Sequence, residues 1–303
     1  MLTVGTVAAG GFATLRTRPW AVAIWAIVYI AAAVAVGMMV RPMIAPMIMV
    51  NGPNPDPQAL SQMMTMMSRM FLLEFVYLIL ILILLTAAMR AVIRPEAPGF
   101  AYIRLGGDEL RIVGLSIFLV VAFYIAMIVG VIVVGVIVVA VTGAAGPAAA
   151  APAAILEALV LIGVFVYAEV RLSLALPLTL LRGQFVLAES WRLTRGRFWT
   201  LLGAYLLLFL IIFLLWLVVA AITFGPYFAN LIAHRGDPEA LRAMAHAQMT
   251  RPFSMMPMAL VAAGLSGVLG ALSLAFFGGA SATAARILAE PIDPPRDAAA
   301  ASA

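Results

Sequence analysis

The chain has 303 residues, of which 65% are hydrophobic and 10% charged, and its mean hydropathy is +1.14. Soluble domains carry roughly 25% charged residues, so a water-exposed fold is excluded and a bilayer must be the solvent. A formal charge of +5 would suggest nucleic acid in a soluble protein, but here it reflects arginines collected on one side of a membrane.

In chain order, an amphipathic stretch comes first: Val4, Val7, Ala8, Phe12 and Leu15 share one helical face ahead of Arg16 and Arg18. It is not expected to be a signal peptide, because no small-residue cleavage site closes an apolar core before those arginines. Six segments then reach the ~20 residues that a helix needs to cross about 30 Å of hydrocarbon. They run approximately Trp20–Val40, Met70–Met89, Ile112–Val141, Ala153–Leu176, Phe198–Thr223 and Met255–Ala275, the last reaching toward Leu288.

Between the first two spans, Asp56 and Pro57 form an N-cap and first-turn pair, predicting a short helix outside the bilayer. Asp237 and Pro238 repeat that signal before the sixth span. On the other side, residues 184–195 suit an interfacial helix, with Gly196 as a left-handed cap and Arg192 and Arg195 at its negative end. Gly264, Gly267 and Gly270 in the last span predict close helix packing.

Matching pairs suggest an internal repeat. Arg16-Thr-Arg18-Pro-Trp20 recurs as Arg195-Gly-Arg197-Phe-Trp199, and Asp56-Pro-Gln-Ala-Leu60 as Asp237-Pro-Glu-Ala-Leu241. Met67-Ser-Arg-Met-Phe71 returns as Met249-Thr-Arg-Pro-Phe253, in the same order. The expected fold is therefore an all-α integral membrane protein. Its six transmembrane helices form three parallel-repeat hairpins, with amphipathic interfacial elbow helices and short outer-side helices. Residues 1–288 make a single membrane domain, with hairpins at about 1–95, 96–182 and 183–288, and 289–303 is expected to be a disordered cytoplasmic tail. The middle hairpin is the poorer copy, because its outer turn GAAGPAAAAPA lacks the Asp-Pro start.

All eighteen basic residues are arginine. Thirteen fall on one side of the spans and five on the other (Arg41, Arg69, Arg235, Arg242 and Arg251), which places both termini in the cytoplasm. With abundant Ala, Gly and Pro, this usage fits a GC-rich bacterial genome and an inner-membrane location.

The segment SWRLTRGRFWTLLG, residues 190–203, resembles the recurring segment of the bacterial glycerophosphodiester phosphodiesterase membrane domain and its small stand-alone relatives. The stretch AVIRPEAPGFAYIRLGGDELRIVGL, residues 91–115, is similar to uncharacterised alphaproteobacterial proteins of that broad type. The resemblance implies a six-helix membrane unit without catalytic residues of its own. Enzymes of that family carry a separate soluble barrel, which is expected to be absent here because the chain ends soon after the last span.

Candidate chemistry is sparse. Arg16, Arg18, Trp20, Arg192, Arg195, Arg197 and Trp199 are expected to contact lipid headgroups or anchor the odd-numbered spans, since the pattern occurs twice at equivalent places. Within the spans, Glu74, Glu157, Glu169 and Arg171 allow two readings, a proton or cation relay or snorkelling with interhelical pairing. Met63, Met66, Met67 and Met70 share one helical face, which Glu74 continues. They can fill packing gaps, offer a plastic apolar surface for lipid, or bind Cu(I) as soft thioethers.

His234 and His246 with Asp237 and Glu239 lack zinc-site spacing, and no phosphate loop, nucleophile elbow or dinucleotide fingerprint occurs. No catalysis, cofactor, metal or nucleic-acid partner is therefore expected. The partners expected are membrane lipids and possible binding to another envelope protein. The functional expectation is a non-catalytic protein that binds or moves a lipid or other amphiphile. The alternatives are a partner subunit or envelope-homeostasis scaffold, and a proton-coupled small-solute transporter.

Overall fold

Hydrocarbon offers no hydrogen bonds, so an apolar run can satisfy its backbone there only as a helix or in a closed barrel. The computed structural model of this protein takes the first solution, and it describes residues 2–49, 57–97, 99–233, 237, 239 and 257–289. The helices are α1 (Val4–Thr17), α2 (Pro19–Met49), α3 (Pro57–Ile93), α4 (Gly107–Ala145), α5 (Ala150–Leu172), α6 (Ala175–Arg182), α7 (Leu187–Leu193), α8 (Phe198–Ala233) and α9 (Pro257–Ala289). Six stretches are long and apolar enough to cross a membrane, in α2, α3, α4, α5 with α6, α8 and α9. The protein is an all-α, polytopic membrane protein, and no strand forms among the described residues.

Helix α9 lies at the centre, packed against α1, α2, α3, α6 and α8. Its small residues make this possible, because backbones approach where side chains are absent. A Cβ added at Gly267 would lie 2.9 Å from the backbone nitrogen of Ile30 in α2. At the α1–α9 crossing, a Cβ on Gly11 would lie 2.6 Å from the carbonyl oxygen of Phe276. Gly264 meets nothing within 4 Å, so the expected packing role holds for Gly267 and not for its neighbour one turn earlier. Hairpin α4–α5 lies to the side, and most of α4 beyond Ser116 is exposed.

Four expectations need correction. Helix α1 buries Val7, Ala8, Gly10, Gly11 and Thr14 and leaves Val4 and Phe12 exposed, because its tightest partner is the glycine-rich face of α9 and not lipid. The Asp-Pro signal before the second span starts no separate short helix: α3 is continuous for 37 residues from Pro57, with no breaker before Ile93. The fourth span is broken at Ser173–Leu174 and resumes to Arg182, because Pro177 has no N–H for the carbonyl four residues back and its ring crowds that carbonyl. The interfacial helix is shorter than expected, Leu187–Leu193, and is followed by Gly196 at φ +78°, the left-handed conformation foreseen for it.

Before the last span, the Asp237 carboxylate accepts from the Glu239 backbone N–H at 3.1 Å, as a capping residue would. Asp56, Pro238, His234, His246, Arg235, Arg242, Arg251 and the 290–303 tail lie outside the described residues, as do the side chains of Arg41 and Met63.

Candidate functional site

Two constellations gather near the arginine-rich ends of the helices. The first ties the turn at residues 99–106 to the bundle. Arg90, fully buried on α3, pairs with Glu109 at the start of α4 and donates to the Tyr102 carbonyl at 2.7 Å. Arg94 and Arg111 both reach Asp108, at 2.8 and 3.2 Å, and Arg94 also donates to the Leu180 carbonyl of α6. The two carboxylates suit their position, since acids in a first helical turn complement the positive end of the helix dipole.

Ala101 and Tyr102 both have positive φ, 51° and 63°, a strained conformation for residues with side chains. Trp25 holds this turn from α2 by donating to the Ala101 carbonyl at 2.9 Å, and the Tyr102 hydroxyl donates to the Pro95 carbonyl at 3.1 Å. Arg90, Arg94 and Arg111 each pair with Asp108 or Glu109. It acts as a clasp joining α2, α3, α4 and α6.

The second constellation is a cavity of about 560 Å³ lined by α3, α4, α5, α6, α8 and α9. Its walls are mainly apolar: Leu82, Leu85 and Met89 from α3, Leu119, Phe123 and Tyr124 from α4, Leu172 from α5, and Phe277 from α9. Polar groups enter from four directions: Ser116 of α4, Glu169 of α5 and Ser173 after it, Tyr205 of α8, and Ser281 of α9. All lie within about three turns of the arginine-rich ends of their helices. Val120, Tyr124 and Glu169 are exposed, so the cavity opens on their side.

The broken α5–α6 helix helps create this space, because Ser173, Leu176 and Pro177 at the break are lining residues. Two hydroxyls facing it have no partner, that of Ser116 and that of Tyr205, which faces Ser173 without closing a hydrogen bond. Buried polar groups are nearly always satisfied. An apolar pocket with a few convergent, unsatisfied polar groups is the usual form of a small-molecule site.

Arg171 does not join this cavity, although it follows Glu169 by only two residues. Positions two apart on a helix face different ways, and no ion pair links the two side chains among the described residues. Arg171 is buried between aromatic rings, 4.8 Å from the Trp191 centroid and 5.5 Å from that of Tyr167. Its Nη1 donates to the Thr194 hydroxyl at 3.4 Å. The Ser190 and Thr194 hydroxyls donate to its carbonyl at 2.9 and 3.2 Å, satisfying a group released where α5 ends. Part of the basic-aromatic segment 190–199 is thus a socket for Arg171.

The remaining candidates separate by position. Trp20 and Trp199 are 81% and 79% exposed at the starts of α2 and α8, and Arg16, Arg192, Arg195 and Arg197 are exposed beside them. Arg18 instead turns inward, 5.7 Å from the Tyr102 ring centroid. Of the methionines, Met67 is exposed while Met66 and Met70 are half-buried. Glu74 is exposed, and Glu157 is half-buried with its Oε2 lacking a partner; no hydrogen bond joins the two among the described residues.

Sequence reasoning found Glu169 but missed Ser116, Ser173 and Tyr205 as its companions in the cavity. The available signal was Pro177, set just past the expected end of the fourth span in a stretch that stays apolar to Arg182. No family model matches the chain, and neither does any curated protein or solved structure.

Proposed function

We propose that this protein is a non-catalytic membrane protein that holds or moves one amphiphile in the cavity between α3, α4, α5, α6, α8 and α9. The observation that carries the reading is the combination of about 560 Å³ of apolar space with unsatisfied hydroxyls on Ser116 and Tyr205. An amphiphile answers both features, since its body replaces apolar contacts and its head satisfies the polar groups. Resemblance of residues 91–115 and 190–203 to a membrane domain that accompanies a separate catalytic barrel supports the same view.

The location we propose is the bacterial inner membrane with both termini in the cytoplasm, supported by thirteen arginines against five across the spans. The arginine and tryptophan elbows ahead of α2 and α8 then sit at the cytoplasmic headgroups, and their shared sequence supports duplication of the first and third hairpins. Protein purified into nanodiscs is expected to carry one species of bound amphiphile at fixed stoichiometry, identified by mass spectrometry after extraction. Leu119→Trp, which fills the cavity from α4, is expected to remove it. Retention of the same species at the same stoichiometry in that variant would refute the cavity as its site.

A further inference from the structure

We propose that the amphiphile is cationic, an organic monocation with an apolar body whose charge rests against Glu169. This deepens the cavity reading and depends on it. Thirteen of the chain's arginines belong to this side of the spans, yet among the described residues none lines the cavity, and Glu169 is the one lining residue with a carboxylate. The nearest arginine in sequence, Arg171, is committed to Trp191, Tyr167 and Thr194.

The hydroxyl groups add to the same bias. Ser173 donates to the Val170 carbonyl at 2.8 Å and Ser281 to the Gly278 carbonyl at 3.2 Å, which uses the proton of each and leaves its oxygen to accept. Ser116, buried and unpartnered, can orient its oxygen likewise. Phe123 and Tyr124 add ring faces, which attract cations through their quadrupoles. A phosphate or carboxylate head would meet the Glu169 carboxylate with the Ser116 and Tyr205 hydroxyls to donate to it, but no lining cation among the described residues to balance it. An ammonium or other soft organic cation finds its counter-charge at Glu169, at the open side of a mainly apolar cavity.

Tetraphenylphosphonium and tetraphenylborate test this directly, because they share shape and size and differ in the sign of charge. Equilibrium binding of each is measured on the full chain in detergent, for wild type, Glu169→Gln, Glu169→Asp and Leu119→Trp, all checked for wild-type elution and melting. Wild type is expected to bind the phosphonium saturably at one per chain and more tightly than the borate. Glu169→Gln should weaken phosphonium binding by roughly tenfold or more without weakening the borate, Glu169→Asp should restore part of the loss, and Leu119→Trp should abolish the site.

Unchanged phosphonium affinity in Glu169→Gln overturns the proposal. So does wild-type binding in Leu119→Trp, which would place the cation elsewhere. If both ions bind equally and both are lost in Leu119→Trp, the cation inference fails while the amphiphile cavity stands. If neither ion binds saturably to wild type, the cation inference fails, and extraction from nanodiscs decides the broader reading separately.

Discussion

Arg90 and Glu109 show how much one buried pair can hold in place. The Arg90 guanidinium meets the carboxylate of Glu109 and the carbonyl of Tyr102, so α3, α4 and the strained turn between them share one charge. Removing one member of a buried pair leaves the other charge desolvated, which typically costs about 3–5 kcal/mol, whereas replacing both with apolar residues is often near neutral. Arg90→Leu should therefore lower the melting temperature in detergent sharply. The double variant Arg90→Leu, Glu109→Leu should recover most of the loss, although the Tyr102 carbonyl then lacks its donor. Equal losses in single and double variants would show that the pair itself is not what holds the turn. Nothing in the sequence marked Glu109 for this role beyond its place in the first turn of α4.

At the scale of elements, the crossings of α9 decide what can be substituted. The nearest neighbours of a Cβ at Gly11 are backbone atoms of Phe276, which cannot rotate away. Overpacking of that kind costs typically about 1–3 kcal/mol. Gly11→Ala is expected to lower the melting temperature in detergent, while Gly264→Ala, which meets open space, should leave it unchanged or slightly raised. A neutral Gly11→Ala would mean that α1 sits further from α9. Pro177→Ala tests the break between α5 and α6: restoring the missing N–H lets one helix run through Ser173–Leu174, and the cavity should lose affinity for tetraphenylphosphonium.

The spans and the small-residue character of α9 were legible in the sequence because hydrophobic length and composition report directly on helices in lipid. Which face of α1 is buried was not legible, since Gly10 and Gly11 read as weak positions until their partner Phe276 is known. The cavity was legible only in part for the same reason. Ser116, Ser173 and Tyr205 come from three separate segments, and no local pattern records their convergence.

At the scale of the whole molecule, both the cavity reading and the elbows rest on the proposed orientation in the membrane. On the orientation proposed above, with thirteen arginines on the side of the chain termini, Gln184, between α6 and α7, would face the cytoplasm and Ala145, at the far end of α4, the opposite side. The chain contains no cysteine, so single cysteines can be introduced without removing native ones. Both positions are exposed. A membrane-impermeant maleimide applied to intact spheroplasts should label Ala145→Cys and spare Gln184→Cys, and lysis should make Gln184→Cys reactive. The reverse pattern would invert the protein and move the polar end of the cavity to the outer leaflet, because Ser116, Glu169, Tyr205 and Ser281 all lie near the arginine-rich ends of their helices. An amphiphile would then be taken from the other face of the membrane. Labelling at both positions in intact cells would contradict an odd number of crossings between residues 145 and 184. The break at Pro177 would then have to be a re-entrant turn instead of a kink within one span.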